Sequence, residues 1–273
     1  MIERYWKEWQ QTRSSKRVRA SLALCGHHVF TLISKRVDET VVRPLLPQEV
    51  ELGPAGPDGQ YLLLYTFGYQ QFVRYAWGPP IFSLSYLECI IAVPNVLVPG
   101  SGRGNRGPFG ALAKLYTSSL VPLILGRLIG YPKFLGKMST GESSYRVETP
   151  SGRPVVSAAF QLNGMIVNPF WAPGYEQFRD LSSAAAVTKT PLGNFLCSIV
   201  EFDQAAALAQ PVIATIEVQA PDFPGLRPGI HTFIGTDAEP LNAMRAHFSW
   251  TLTTRGTNAI PDERSSAGVR ASG

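Results

Sequence analysis

Apolar residues along this chain come in short runs punctuated by Gly and Pro, and few runs keep the three- and four-residue spacing of a helix. Residues 29–37 are rich in β-branched and aromatic side chains and predict a strand. Residues 38–45 start acidic and end before Pro47, which predicts a short helix. Gly and Pro crowd 53–59 into a turn. Residues 60–69 are almost wholly apolar, as in a strand buried on both faces, and 82–93 make another strand after Pro79-Pro80. Residues 111–129 read as helical with a break at Pro122. Strand patterns return at 144–148, 154–162, 192–202, 212–219 and 243–252, while 163–177 is aromatic and irregular.

The two ends differ from this body. In residues 1–21, Ile2, Tyr5, Trp6 and Trp9 recur at helical spacing opposite Lys7, Arg13, Lys16 and Arg17. A short helix with a basic face is expected there, packed on its own domain or docked on another subunit or surface. Residues 253–273 are polar and expected to be disordered. The chain therefore divides into a basic helical segment (1–21), a β domain (22–252) and a tail (253–273). Many short strands and few helices imply a mainly β (α+β) fold, an antiparallel barrel or curled sheet with a few peripheral helices.

Composition narrows the function classes. The 273 residues are 45% hydrophobic and only 16% charged, enough for one large folded domain or two small ones. The net charge of +5 owes much to the two ends, and no basic motif interleaved with aromatics appears, so nucleic acid is not an expected partner. Cys25, Cys89 and Cys197 are odd in number and widely spaced, which argues for a reducing, cytoplasmic setting and against a metal site. No secretory leader is read at the N-terminus. The most apolar stretch, 120–135, is broken by Pro122, Arg127, Pro132 and Lys133 and falls short of a membrane span of about 20 residues.

Gly102-x-Gly104-x-x-Gly107 matches a dinucleotide fingerprint, but Pro99 and Pro108 bracket it and no acidic residue occurs between Glu88 and Glu142. It is expected to be a loop and no cofactor is expected. Arg103 and Arg106 would meet an anionic substrate only if that loop folds over the site. His231 and His247 are isolated acid–base candidates in apolar surroundings. No Gly-x-Ser-x-Gly elbow offers serine catalysis.

The segment with the most chemistry in it is Gly126-Arg127-Leu128-Ile129-Gly130-Tyr131-Pro132-Lys133-Phe134-Leu135-Gly136-Lys137. Lys133 stands among apolar neighbours. Water lost from around an ammonium favours the free amine, which is a nucleophile toward carbonyls. A solvated surface lysine is the ordinary alternative. Gly126-Arg127-x-x-x-Tyr131-Pro132-Lys133 resembles the segment that carries the Schiff-base lysine of the acetoacetate decarboxylase family. Tyr86-Leu87-Glu88-Cys89-Ile90-Ile91-Ala92-Val93-Pro94 resembles the family segment with an active-site glutamate six residues before a proline. Residues 30–52, with Leu46-Pro47, and 222–252 are similar more loosely.

The resemblance implies a β-barrel, a homo-oligomer, and an imine-forming enzyme with Lys133 as nucleophile and Glu88 as its polar partner. Tyr86, Tyr131 and Phe134 would line the substrate site, and the substrate would be an oxo acid or another small carbonyl compound. The family pattern is not complete. Phe134 stands in place of a second lysine, Thr117 and Ser119 in place of acidic residues, Leu128 in place of a glutamate, and His27 or His28 near an early arginine. Three outcomes stay open: decarboxylation of a β-oxo acid, aldol or dehydratase chemistry through the same imine, and binding of an apolar carbonyl or lipid-like ligand without turnover.

Overall fold

The computed structural model describes residues 22–76, 83–98 and 109–256. The segment 1–21, Pro79-Pro80, the Gly-rich stretch with Arg103 and Arg106, and residues beyond 256 lie outside the described residues. Fourteen strands are present among them: β1 (Leu22–Val37), β2 (Glu51–Leu52), β3 (Tyr61–Tyr75), β4 (Leu84–Leu97), β5 (Phe109–Thr117), β6 (Lys133–Leu135), β7 (Lys137–Thr140), β8 (Ser144–Glu148), β9 (Pro154–Leu162), β10 (Ala186–Lys189), β11 (Phe195–Phe202), β12 (Leu208–Val218), β13 (Gly229–Ile234) and β14 (Ala243–Gly256). Three short α-helices join them: α1 (Glu39–Val42), α2 (Leu120–Leu128) and α3 (Glu176–Ser183).

Seven strands close into a barrel in the order β1-β3-β4-β5-β10-β11-β14, with β14 returning to β1. Its pairs are antiparallel except β5 with β10. The first residues of β14 also pair with β12, which continues through β9, β8 and β7 into a second sheet. That sheet packs on one face of β3 and β4. Phe67 meets Tyr145 at 5.6 Å and Phe160 at 6.1 Å, and Tyr65, Cys89 and Ile91 are fully buried beside them. Burial of each such large apolar side chain contributes about 1.5–3 kcal/mol.

Directly opposed residues of an antiparallel pair share a face. The registers Phe30↔Gly68, Gly68↔Glu88 and Glu88↔Thr117, with His28↔Gln70 and His28↔Phe248, therefore place His28, Gln70, Glu88 and Thr117 together on the other face of the wall. Tyr86, opposite Gln70, joins them. The apolar part of this face is closed by Phe178 of α3 and by Phe170 and Phe202, which pack around Phe248.

Three expectations change. Residues 109–117, read in large part as helical, are strand: β4 on one side and β10 and β6 on the other supply ladder partners, which outweigh the helix preference of an Ala-Leu-Ala-Lys-Leu run. Pro122 does not break a helix, because α2 begins at Leu120 and puts Pro122 in the first turn, where a missing N–H costs no ladder bond. The last strand runs to Gly256, so 253–256 belong to β14 rather than to the tail.

Candidate active site

The Gly-Arg-x-x-x-Tyr-Pro-Lys segment folds as the end of a helix, a tight turn and a short strand, and each of its residues has a local task. Gly126 leaves room for the lysine: a Cβ there would lie 2.5 Å from Lys133 Cδ and 2.6 Å from Cε. Arg127 donates from Nε to the Lys133 carbonyl at 2.9 Å and so fixes the backbone that carries the amine. Tyr131 N–H returns to the Gly126 carbonyl at 2.9 Å, closing the helix end. Gly130 takes φ 90°, in the left-handed region, with a Cβ position only 2.5 Å from the Lys189 carbonyl oxygen.

β6 then pairs in parallel with β5, Lys133 beside Leu115. This turns the Lys133 side chain onto the face that holds Glu88. Lys133 Nζ donates to Glu88 Oε1 at 2.7 Å, and the two side chains are 6% and 5% exposed. The residues are 45 apart in sequence and meet only through the sheet. The amine is thus not a bare desolvated cation but one half of a buried ion pair.

The carboxylate is held on its other side as well. Gln70 Nε2 donates to Glu88 Oε2 at 3.1 Å, and Trp250 Nε1 donates to Gln70 Oε1 at 3.1 Å. The indole, a donor only, fixes which end of the Gln70 amide faces Glu88. Tyr145, reaching from β8, donates to the backbone carbonyls of Glu88 at 2.7 Å and Gly68 at 3.1 Å and ties the second sheet to the wall behind the site.

Two tyrosines flank the amine. Lys133 Nζ lies 5.5 Å from the centre of the Tyr86 ring and 6.0 Å from that of Tyr131. Burial and then the Glu88 charge push the Tyr86 phenol well above its ordinary range. Burial pushes Tyr131 up to about 12, against a hydrogen bond to Ser198 Oγ at 2.6 Å that pulls it down. Both phenols are therefore protonated at neutral pH, and the Tyr131 hydroxyl donates to Ser198 Oγ. His28 lies over Gly68. Its Nε2 is inaccessible and has no hydrogen-bond partner, and burial pulls the ring down to about 4 against the upward pull of Glu88. It is neutral at pH 7.

Of the residues singled out from the sequence, Lys133, Glu88, Tyr86 and Tyr131 come together. Phe134 does not join them. Strand alternation turns its ring the other way, 42% exposed, 6.0 Å from the Tyr116 ring and 5.5 Å from Lys114 Nζ. Desolvation of Lys133 is supplied instead by the Tyr86 and Tyr131 rings and the Gly126 backbone. His231 binds the Arg227 carbonyl and His247 sits on an exposed part of β14, both apart from Lys133. Gln70, Trp250, Thr117, Ser198 and Tyr145 were not singled out. The sequence signal for Gln70 is a polar residue alternating with aromatics in Phe67-Gly68-Tyr69-Gln70. Trp250 and Tyr145 carry no signal of their own. Among the described residues, no group of three or more His, Cys, Asp or Glu is placed to hold a metal ion, and no helix is long and apolar enough to cross a membrane.

A cavity of about 340 Å³ runs along the outer flank of this loop, lined by Leu46, Val50, Gly130, Pro132 and Thr188. It touches the turn before the lysine but neither Lys133 nor Glu88.

In comparison with solved structures this barrel topology matches the acetoacetate decarboxylase-like fold. The chain superimposes on the enduracididine biosynthesis enzyme MppR complexed with the condensation product of pyruvate and imidazole 4-carboxaldehyde, with TM-score 0.61 and 16% identity, over 90% of this chain and 93% of that one. It is similar to an acetoacetate decarboxylase-like enzyme from Sphingomonas wittichii, with TM-score 0.58 and 14% identity, over 86% and 92%. It is also similar to acetoacetate decarboxylase from Legionella pneumophila, with TM-score 0.55 and 14% identity, over 87% and 86%. The sequence matches no protein-family model and no curated protein. At identities this low the likeness shows a shared fold.

Proposed function

We propose that this protein is an enzyme that condenses Lys133 with the carbonyl group of a small substrate and makes or breaks a carbon–carbon bond beside the resulting imine. The observation that carries the reading is the buried Lys133–Glu88 pair at 2.7 Å. An ammonium cannot attack a carbonyl. Here the proton has an acceptor in hydrogen-bond contact, and passing it from Nζ to Oε1 turns two buried charges into two neutral groups.

The free amine then adds to the carbonyl carbon. The carbonyl oxygen takes the proton from Glu88 and becomes a carbinolamine hydroxyl. Loss of water leaves a protonated imine, which draws electrons from the neighbouring bond. With a β-oxo acid, the bond to the carboxylate breaks, carbon dioxide leaves, and the electron pair forms an enamine that is reprotonated on carbon. Water finally hydrolyses the imine and restores the amine. Gln70, anchored by Trp250, keeps the carboxylate aimed at Nζ through these transfers.

The same enamine adds to an aldehyde or, run backwards, releases one, and loss of a β-hydroxyl gives dehydration. One comparison favours this second outcome. MppR holds a condensation product of pyruvate with an aldehyde. Imine formation is tested by oxygen exchange. Ketones incubated in heavy-oxygen water exchange their carbonyl oxygen through an imine. Mass spectrometry is expected to show exchange with the native protein and a fall to the background rate with Lys133→Ala. Equal exchange in the two would sink the reading.

A further inference from the structure

We infer that His28 and Thr117 form a neutral binding subsite on either side of Glu88, which selects a carbonyl substrate carrying an uncharged oxygen substituent, a hydroxyl or a second carbonyl, over one carrying a carboxylate there. This inference rests on the imine reading for its substrate but not for its geometry.

Among the described residues, four buried side-chain polar atoms have no hydrogen-bond partner, and His28 Nε2 and Thr117 Oγ1 are two of them. Their placement is not scattered. Glu88 stands directly opposite Gly68 on one side and Thr117 on the other. A Cβ on Gly68 would lie 2.1 Å from His28 Nε2, so the imidazole edge lies over that glycine. His28 reaches from β1 so that its Nε2 lies over Gly68, and Thr117 stands on β5, so the two unpaired atoms flank Glu88, one on each side. Thr117 is fully buried. Polar groups buried in a fold are almost always satisfied, and each exception calls for an explanation, a bound partner among them.

The chemistry of the partner follows from charge. His28 is neutral and Thr117 is uncharged, so neither offers a cation to an anionic group. Glu88 lies between them, and its carboxylate repels a second carboxylate placed beside it. A hydroxyl both donates and accepts, and so satisfies either imidazole tautomer and either orientation of the threonine hydroxyl. The fitting substrates are hydroxyketones and dicarbonyls, the products and substrates of aldol chemistry.

The test uses a matched pair of probes, diacetone alcohol and methyl isobutyl ketone, which differ only by one hydroxyl, with acetoacetate as the anionic comparison. Binding is followed on the full chain by NMR of isotopically labelled histidine rings. The four histidines give few signals, and loss of one in His28→Phe assigns it. Diacetone alcohol is expected to move the His28 Nε2 signal and to bind about tenfold more tightly than methyl isobutyl ketone, the scale of one or two neutral hydrogen bonds. Acetoacetate is expected to bind more weakly than diacetone alcohol. Thr117→Val, which keeps the side-chain shape, is expected to remove that preference and leave methyl isobutyl ketone unchanged. Equal binding of the matched pair, tighter binding of acetoacetate, or an unchanged preference in Thr117→Val would overturn the subsite. Lys133→Ala separates the two readings. It is expected to lose oxygen exchange but keep the hydroxyl preference, and a preference seen without exchange in the native protein would remove the imine reading and leave the subsite.

Discussion

Replacing Gly126 by alanine separates the stability of this protein from its chemistry. The added Cβ falls 2.5 Å from Lys133 Cδ and 2.6 Å from Cε. Ordinary carbon contacts begin near 3.4 Å, so the lysine stem must retreat by close to 1 Å. Forcing that stem away from its preferred rotamer costs about 0.5–1.5 kcal/mol. Alanine in a helix, however, is favoured over glycine by about 1 kcal/mol, and Gly126 lies within α2. The two effects nearly cancel, and the fold is expected to stay within about 1 kcal/mol of the native stability. The chemistry has no such compensation. A displacement of about 1 Å in a reacting group can lower a rate by about 100-fold. The assay pairs a denaturant melt with the rate of carbonyl oxygen exchange. Native-like stability with exchange lowered by about two orders of magnitude is the expected result. An unaltered exchange rate in a stable variant would refute the placement of Lys133 against α2, and with it the explanation of the glycine.

Other perturbations follow from the same contacts. Trp250→Phe removes the indole donor to Gln70 Oε1, leaves a buried acceptor unsatisfied at a cost of about 1–3 kcal/mol, and loosens the amide that holds Glu88; urea melts and the oxygen-exchange rate are both expected to fall, the rate with little change in substrate affinity. Glu88→Gln leaves the Lys133 ammonium buried without its counter-charge and is expected to destabilise by about 3–5 kcal/mol by the same melts, whereas Lys133→Met with Glu88→Gln is expected to recover much of that loss. His28, pulled from 6.5 to about 4, gives a pH dependence of defined sign. Above pH 6.5 the ring is neutral folded and unfolded and contributes nothing. As pH falls from 6.5 toward 4 only the unfolded chain takes up the proton, and stability falls by about 3 kcal/mol before levelling off. Melts of His28→Phe across this range are expected to lack that component, and an identical slope in the variant would contradict the buried neutral ring.

How much of this was legible in the sequence differs between the fold and the site. Strands with strong β-branched or aromatic patterns, such as 144–148 and 154–162, were read to the residue. Residues 111–117, expected to be helical, have a local helical preference, and only the ladders with β4, β6 and β10 make them a strand. Within the site, Gly126, Arg127 and Tyr131 act on neighbours a few residues away, so a local motif carries them. Glu88 is singled out only because its own segment resembles a known one. Gln70 and Trp250 touch across β1, 180 residues apart, a contact that depends on barrel closure and leaves no local trace. Phe134 was misplaced for a related reason. Adjacent to Lys133 in sequence, it points to the opposite face once β6 forms.

Covalent attachment of Lys133 to the substrate carbon is open to reductive trapping. The protein would be mixed with diacetone alcohol, pyruvate and acetoacetate, treated with borohydride, digested and mapped by mass spectrometry. An adduct is expected on Lys133, absent in Lys133→Ala and slowed in Gly126→Ala. A folded native protein that yields no adduct with any of these carbonyls, or yields one only on surface lysines, would contradict it.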